Sequence, residues 1–365
     1  MPGLVGGSDV RISGRRHGGG WRRRARTLLV LALLPLTAPA TRPPDVARAA
    51  AARRPIVAES SGHLVTIDPR SGEVVRRLTR GNEPSQQPLW SPGGDKIAFG
   101  RGGGNSLEIW VMRRDGSRKR RVTKNRKLDQ WPSWAPDGKR LVVERYDALG
   151  SGGGELFVVR ADGSGGRNIT RNRVADACPH WSPTGRSIVF YRRFHYNLFT
   201  IRPDGTRERR LTSGPPVDTA PIWSPDGRLV LFFRSFQGDR PSGLFVIRRD
   251  GTGLRRLTRT PATEVDFGWS PNGSKIVFVE TNGMEASLWV MRADGSRQRR
   301  LVDSVGLGVS PTWSADGKKI AYARRDDIWT VRVDGSRKRR LTRTDDSDES
   351  RPDWDSPPQE CGGAY

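Results

Sequence analysis

The pentapeptide Trp223-Ser-Pro-Asp-Gly belongs to a motif that recurs along most of this 365-residue chain. A proline that fixes φ, followed by Asp or Asn and by a glycine that accepts a positive φ, is typical of a tight turn. Related pentads begin at five other tryptophans, and one more tryptophan near the C-terminus keeps the spacing. These tryptophans are 41 to 47 residues apart: Trp90, Trp134, Trp181, Trp223, Trp269, Trp313 and Trp354.

Short alternating apolar runs follow each pentad. The first run, such as Lys275-Ile-Val-Phe-Val, comes directly after the pentad, and the second, such as Gly243-Leu-Phe-Val-Ile, comes after a loop of variable length. An Asp-Gly turn, as at Asp250, and a basic strand, as in Arg339-Arg-Leu-Thr, complete the unit. Each unit therefore predicts four antiparallel strands with tight turns.

A four-stranded meander of this length cannot bury both its faces, whereas radially stacked meanders bury each other as the blades of a β-propeller. We expect the repeated tryptophans to fill the space between blades. Residues 55–79 provide strands two to four of a unit, and residues 351–354 provide a first strand. Their pairing would close the ring. The sequence thus predicts an all-β propeller of about seven blades, with six or eight as alternatives.

The repeated Pro-x-Trp-Ser-Pro-Asp-Gly…Ile-Ala-Phe pattern resembles the TolB-type β-propeller family, whose repeat is WD-like and is known as the PD repeat. The resemblance covers residues 55–356 and recurs six times. It implies a propeller and, by similarity to a periplasmic scaffold of the Tol–Pal system, a binding role in the cell envelope. Similar propellers also precede the hydrolase domain of prolyl oligopeptidases. Seven units would be one more than the six blades usual in the Tol protein.

The N-terminus reads as an export signal. Four arginines, from Arg22 to Arg26, precede an apolar segment that is too short to span a bilayer and ends in Ala38-Pro-Ala. We assign residues 1–40 to a signal peptide, 41–54 to a linker, 55–356 to the propeller and 357–365 to a tail. This predicts a periplasmic, envelope-associated or extracellular protein. The alternative is a membrane anchor formed by an uncleaved N-terminal segment.

The net charge of +25 suggests polyanionic partners, although an arginine-rich solvated surface is an equal alternative. Outside the cell, an anionic envelope polymer or lipid is favoured over nucleic acid. A protein or peptide partner is also expected, and the chain is expected to be a monomer. Its two cysteines, Cys178 and Cys361, leave a single disulfide open and provide no metal-binding spacing.

No catalytic apparatus is recognisable in the sequence. It lacks a Gly-x-Ser-x-Gly nucleophile elbow, and its four histidines are isolated. His180, directly before Trp181, is interpreted as a packing residue. We therefore predict a non-catalytic module with no catalytic, cofactor-binding or metal-ligating residues and no cofactor. The alternative is a lyase or hydrolase with its site at the channel mouth, because fold alone does not decide function.

An acidic residue stands five positions before most repeat tryptophans. These carboxylates are predicted to surround one mouth of the central channel. Either they accept backbone N–H groups and tie each loop to the next blade, or they form an acidic ring that binds cations or a basic peptide. They are Asp129, Asp176, Asp218, Glu264 and Glu349, with Ser85 and Gly308 at the two remaining positions.

Arginine clusters mark the closing strand of most units, as in Arg118-Lys-Arg-Arg. They are interpreted as edge protection or as a basic rim that contacts an anionic polymer or lipid. Together with the acidic positions they predict a disc with a negative channel mouth and a positive opposite rim.

Overall fold

The computed structural model describes residues 54–354 except 104–105, 147–152, 173, 238–241, 261, 284, 307 and 344–347. The predicted signal peptide, the tail and Cys361 lie outside the described residues, as does all of the linker but Arg54. The disulfide and the export signal therefore stay predictions. Among the described residues, no helix has the length and hydropathy needed to cross a bilayer.

The described residues form strands joined by turns. The strands from the first half of the chain are β1 (Ile56–Ser60), β2 (His63–Ile67), β3 (Val74–Arg77), β4 (Ser85–Trp90), β5 (Lys96–Gly103), β6 (Ser106–Arg113), β7 (Arg120–Arg121), β8 (Leu128–Trp134), β9 (Arg140–Tyr146), β10 (Glu155–Arg160), β11 (Gly166–Asn168), β12 (Asp176–Trp181), β13 (Ile188–Arg192) and β14 (Asn197–Ile201). Those from the second half are β15 (Arg209–Arg210), β16 (Val217–Trp223), β17 (Leu229–Ser235), β18 (Gly243–Arg248), β19 (Arg255–Arg256), β20 (Thr263–Trp269), β21 (Lys275–Thr281), β22 (Ala286–Arg292), β23 (Arg299–Val302), β24 (Thr312–Trp313), β25 (Lys319–Arg324), β26 (Asp327–Arg332), β27 (Arg339–Arg340) and β28 (Glu349–Asp353).

These strands fall into four-stranded antiparallel meanders. Six consist of consecutive strands, and we number them blades 1 to 6, from β4–β7 to β24–β27. A single parallel bridge between Leu107 and Leu128 joins blades 1 and 2 into one sheet. The remaining group, which we call the closing blade, has the order β28-β1-β2-β3 and so combines both ends of the described chain. The prediction of an all-β propeller is confirmed.

The closing blade is paired as the sequence predicts. Val57 faces Asp353 and Ser60 faces Glu349 in the ladder between β1 and β28. Strand β28 also contacts blade 6 on one side and blade 1 on the other. The N–H of Trp90 donates to Asp353 Oδ2 at 2.7 Å, which adds a polar link from the closing blade to blade 1.

The repeat tryptophans lie between neighbouring blades, and each is at most 5% exposed. Trp223, for example, packs among apolar side chains of blades 3 and 4, including Leu198 and Phe232. The residue before a tryptophan often accepts the N–H of the tryptophan in the next blade. His180 is one case: its Nδ1 accepts the N–H of Trp223 at 3.2 Å. The packing role expected for His180 therefore includes a polar contact between blades.

Replacement of Trp223 by alanine is expected to lower the free energy of unfolding by about 3–5 kcal/mol, because it leaves a cavity between two blades. Chemical denaturation monitored by circular dichroism measures the change. Phe194→Ala is the control, since this aromatic ring is 76% exposed and its loss should change stability by less than about 0.5 kcal/mol. Equal stability of the two variants would show that Trp223 does not hold the blades together.

Candidate functional site: the axial channel and its mouth

One residue in the innermost strand of each blade, or just before it in blade 6, has a left-handed backbone. Its φ lies between 42° and 54°, and in most blades the ladder with the second strand is shifted at the same place by a β-bulge. Such a conformation is uncommon for residues other than glycine, and it redirects the side chain. These residues are Gln87, Trp131, Cys178, Ala220, Asp266, Ser310 and Arg351.

These bulge residues converge on the axis of the ring. The guanidinium of Arg351, in the closing blade, lies 5.7 Å from the ring centre of Trp131 in blade 2. The N–H of Trp131 donates to Gln87 Oε1 at 3.2 Å, and the N–H of Ser310 donates to Asp266 Oδ2 at 3.2 Å. A side chain that reaches a blade two positions away must pass the intervening blade on the side of the axis. The bulge residues therefore line the axial channel.

Charge in the channel is centred on Arg351. Its guanidinium is 4.0 Å from Glu59 Oε1, which also accepts the N–H of Gln87 at 2.6 Å. Burial raises the pKa of Asp266, while the N–H of Ser310 and the charge of Arg351 act in the opposite direction. Burial likewise raises the pKa of Glu59, against the charge of Arg351. Among the described residues, Arg351 thus lies near the carboxyl groups of Glu59 and Asp266, and the pKa of each carboxyl group is raised.

The predicted acidic ring lies beneath the surface. All five residues, Asp129, Asp176, Asp218, Glu264 and Glu349, are buried. Three of them pair with an arginine sixteen positions later, which faces them from the second strand of the same blade. The shortest distances are Asp129–Arg145 at 2.6 Å, Asp176–Arg192 at 2.7 Å and Asp218–Arg234 at 2.5 Å.

Loop side chains complete two of these contacts. Asn125 donates to Asp129 at 2.6 Å, and Asn172 donates to Asp176 at 2.7 Å. The expectation of a negative channel mouth is wrong at the three arginine-paired positions, because each guanidinium compensates the neighbouring carboxylate. The contacts favour a structural role for these carboxylates, but the partners are side chains of the same blade, whereas the expected ties joined each loop to the next blade through backbone N–H groups. Ligand binding by the five carboxylates stays a prediction.

Blade 5 departs from this arrangement. The residue that faces Glu264 across the ladder is Glu280 instead of an arginine. Thr260 Oγ1 donates to Glu264 Oε1 at 3.1 Å, whereas Glu264 Oε2 accepts no hydrogen bond from the described residues. Burial raises the pKa of Glu264, and the charge of Glu280 adds to the shift. In the closing blade, Ser60 Oγ donates to Glu349 Oε1 at 3.3 Å.

An aromatic and polar cluster lies beside the channel in blades 2 and 3. Glu144 is buried, accepts the N–H of Cys178 at 3.0 Å, and accepts the hydroxyl of Tyr146. The guanidinium of Arg193 lies 5.3 Å from the ring centre of Tyr146 and 3.8 Å from Glu144 Oε1. Burial raises the pKa of Glu144, and the Tyr146 hydroxyl opposes this shift.

Two exposed aromatic side chains extend this cluster to the surface. They are Phe194, 76% exposed, and Tyr196, 41% exposed, in the loop between β13 and β14. The N–H of Arg193 donates to Ala175 O at 2.7 Å, and the N–H of Asp218 donates to Tyr196 O at 2.7 Å, so the loop lies at the channel mouth. We name residues 193–196 the mouth loop. Sequence analysis missed it, although the run Tyr191-Arg-Arg-Phe-His-Tyr is the most aromatic loop of the repeat series.

The arginines of the closing strands connect blades on the opposite face. The first arginine of the Arg-Arg pair donates to a carbonyl in a turn of the next blade, which is an Asp-Gly turn in every case but that of Arg339, and we call these contacts the arginine latches. The second arginine often donates to the carbonyl of the threonine two residues later, as Arg210 does to Thr212 O at 2.7 Å. The latches are Arg76 to Asp115, Arg120 to Asp162, Arg209 to Asp250, Arg255 to Asp294, Arg299 to Asp334, and Arg339 to Arg70 and Ser71.

The latches revise the interpretation of the basic strands. Because the latch arginines donate to a turn of the neighbouring blade, they join blades. Only the cations outside the latches can form the predicted basic rim. The threonine of the same motif also belongs to the fold: Thr212 Oγ1 accepts the N–H of Leu198 at 2.9 Å, and Thr258 Oγ1 accepts that of Leu244 at 2.8 Å.

The remaining histidines do not assemble into a catalytic set in the described part of the chain. His63 lies in β2 and His195 in the mouth loop, where its ring contacts Phe194 edge to face with centres 4.7 Å apart. The described residues also contain no group of three or more His, Cys, Asp or Glu that could hold a metal ion.

Comparison with protein-family models finds the TolB beta propeller domain, PD40, at residues 57–194 and 192–357. The chain belongs to the TolB β-propeller family. The match covers the region in which the Trp-Ser-Pro-Asp-Gly pentads recur. A comparison with curated proteins finds no match.

Solved structures similar to this TolB-type propeller include a putative TolB from Agrobacterium tumefaciens, at 23% identity and a TM-score of 0.56, over 74% of this chain and 98% of that one. TolB from Acinetobacter baumannii is 18% identical with a TM-score of 0.56, over 80% and 78% of the two chains. An oligogalacturonate lyase in complex with manganese is 15% identical with a TM-score of 0.60, over 80% and 85%. At these identities the likeness concerns the fold.

Proposed function

We propose that this TolB-type propeller is an exported, monomeric and non-catalytic binding module that contacts a protein or peptide with the channel mouth. The observation that carries the proposal is the mouth loop. Phe194 and Tyr196 are among the few large hydrophobic side chains exposed in the described residues, and they lie beside the axial channel. Exposed aromatic rings next to arginine are typical of the centres of protein interfaces.

The surroundings of the mouth loop support a recognition surface. Arg192 is held by Asp176 and by Glu208, the latter at 2.9 Å, so the strand before the loop is fixed by ion pairs. Tyr196 stacks on Tyr191 with ring centres 6.4 Å apart. A surface that is ordered before binding loses less conformational entropy in the complex.

Site-specific photocrosslinking tests this proposal. A photoreactive phenylalanine analogue at position 194 is expected to capture a partner from the envelope fraction of the source cells. Unlabelled wild-type protein should compete for capture, and the Phe194→Ala/Tyr196→Ala variant should not. Val75, 60% exposed on strand β3, is the matched control for the same analogue. Equal capture from positions 75 and 194, or equal competition by both proteins, would contradict a binding role of the mouth.

A propeller enzyme at the same mouth is the second candidate. The observation in its favour is the cluster of Glu144, Tyr146 and Arg193, where burial raises the pKa of a carboxyl next to an arginine and a phenol. Such perturbed groups are frequent at catalytic sites. Cleavage of an oligogalacturonate by the purified protein, abolished in a folded Glu144→Gln variant, would support the enzyme and contradict the non-catalytic module.

A further inference from the structure

A basic cleft opens between blades 1 and 2 on the face opposite the mouth loop. Its volume is about 560 Å³, and residues of the turns and of the adjoining strand ends of both blades form its walls. Seven cationic side chains and two carboxylates line it, which gives a formal excess of five positive charges. The cations are Lys96, Arg113, Arg118 and Arg120 from blade 1 and Lys139, Arg140 and Arg160 from blade 2, and the carboxylates are Asp137 and Asp162.

Two contacts between the blades hold the walls of the cleft. Lys96 Nζ donates to Gly138 O at 3.1 Å, and the latch residue Arg120 donates to Asp162 O at 2.8 Å. Arg140 is fixed as well, because it pairs with Asp137 at 2.9 Å and lies 5.1 Å from the ring centre of Trp181. The cleft therefore has fixed walls before any ligand arrives.

Four cations of the cleft have no such partner. The side chains of Arg113, Arg118, Lys139 and Arg160 are exposed and make no ion pair or hydrogen bond with the described residues. The first two belong to blade 1 and the other two to blade 2. Like charges held close together repel one another, and an anion between the two walls would relieve this repulsion.

We propose that this cleft binds a ligand that carries at least two phosphate groups. A phosphate directs oxygen atoms to several sides and accepts from cations on both walls, whereas a carboxylate presents two oxygens in one plane. The volume lies within the range of about 300–1,000 Å³ typical of small-ligand sites, so more than one phosphate fits. A soluble polyphosphorylated molecule and a phosphate-bearing lipid headgroup share this chemistry.

The repeat provides a matched control. Arg202, Arg207 and Arg228 occupy the positions equivalent to Arg113, Arg118 and Lys139 at the junction of blades 3 and 4, and they too are exposed. Arg118 and Arg207 even share a left-handed backbone, with φ of 50° and 54°. At that junction Ser187 and Leu229 replace Lys96 and Arg140, and Arg249 replaces Ala161. The equivalent positions there carry a formal excess of four positive charges instead of five, and the loss of charge on mutation is the same.

Titration calorimetry with tripolyphosphate tests the proposal on the folded propeller. Arg113→Gln/Arg118→Gln/Lys139→Gln is expected to weaken binding about tenfold or more, because it removes three charge-assisted contacts. Arg202→Gln/Arg207→Gln/Arg228→Gln should bind as the wild type does. Equal weakening in both triple variants, no binding by the wild type, or tighter binding of polygalacturonate than of tripolyphosphate would overturn the proposal.

Vesicles distinguish the two sources of phosphate. Binding to phosphatidylglycerol vesicles but not to phosphatidylcholine vesicles, lost in the first triple variant alone, supports a lipid headgroup. Tripolyphosphate binding without vesicle binding supports a soluble ligand. Thermal melts that match the wild type show that each variant is folded. The mouth-loop variant Phe194→Ala/Tyr196→Ala should retain tripolyphosphate binding, which separates this site from the proposed protein-binding surface.

Discussion

Deletion of residues 350–365 is expected to abolish cooperative folding of the propeller. The deletion removes most of β28, and with it the ladder to β1 and the buried Trp354, whose N–H donates to Thr312 Oγ1 at 3.1 Å. Loss of one large buried aromatic side chain costs about 3–5 kcal/mol, and domains are stable by only about 5–15 kcal/mol. The lost ladder adds to this cost, and β1 becomes an unprotected edge.

Circular dichroism melts and size-exclusion chromatography measure the result of the deletion. The truncated protein should lose its cooperative transition or form oligomers through the exposed edge. Deletion of residues 357–365 is the control, because it retains every residue that pairs with β1. A truncated protein without 350–365 that melts like the wild type would show that the ring does not depend on the closing blade.

Asp218→Asn is expected to lower the free energy of unfolding by about 3–5 kcal/mol, the range for removing one partner of a buried ion pair. Asp218 and Arg234 are both buried, and two hydrogen bonds at 2.5 and 2.7 Å join them. The amide leaves the charge of Arg234 without its counterion in a medium that solvates it poorly. Denaturant titration at neutral pH measures the effect.

Glu264→Gln is the matched control and should not destabilise the protein at neutral pH. Glu264 faces Glu280, so the amide removes a buried charge that has no cationic partner across the ladder. Equal destabilisation by Asp218→Asn and Glu264→Gln would show that the arginine does not determine the role of the acidic position.

The pH dependence of stability provides a second comparison of these variants. The folded protein holds a proton on Glu264 more tightly than the unfolded chain does, because burial and the charge of Glu280 raise its pKa above the ordinary value of 4.5. The unfolded state then binds fewer protons, and stability falls as pH rises from 4.5 through the raised pKa. In the Glu264→Gln variant, stability should fall less as pH rises than it does in the wild type. An unchanged pH profile would show that Glu264 does not cause this fall in stability.

The sequence alone determined the architecture, because its signals are local. Pro-Asp-Gly turns, alternating apolar runs and the spacing of residues such as Trp223 act within a single unit, and a unit of four short strands requires neighbours to bury its faces. The closing pair of strands also followed from the sequence, since one incomplete unit stands at each end of the repeat. The arginines sixteen residues after Asp129, Asp176 and Asp218 are a further signal in the sequence for the three ion pairs.

Only the tertiary structure decided what the charged residues do. Asp218 and Glu264 occupy equivalent positions, yet the first faces Arg234 and the second faces Glu280, and the facing side chain determines whether the buried charge is compensated. The same holds for Arg120, whose partner is a carbonyl of the next blade, and for Arg351, which reaches Trp131 two blades away. Turn formation depends on neighbours along the chain, whereas electrostatic energy depends on distance and burial in the closed ring.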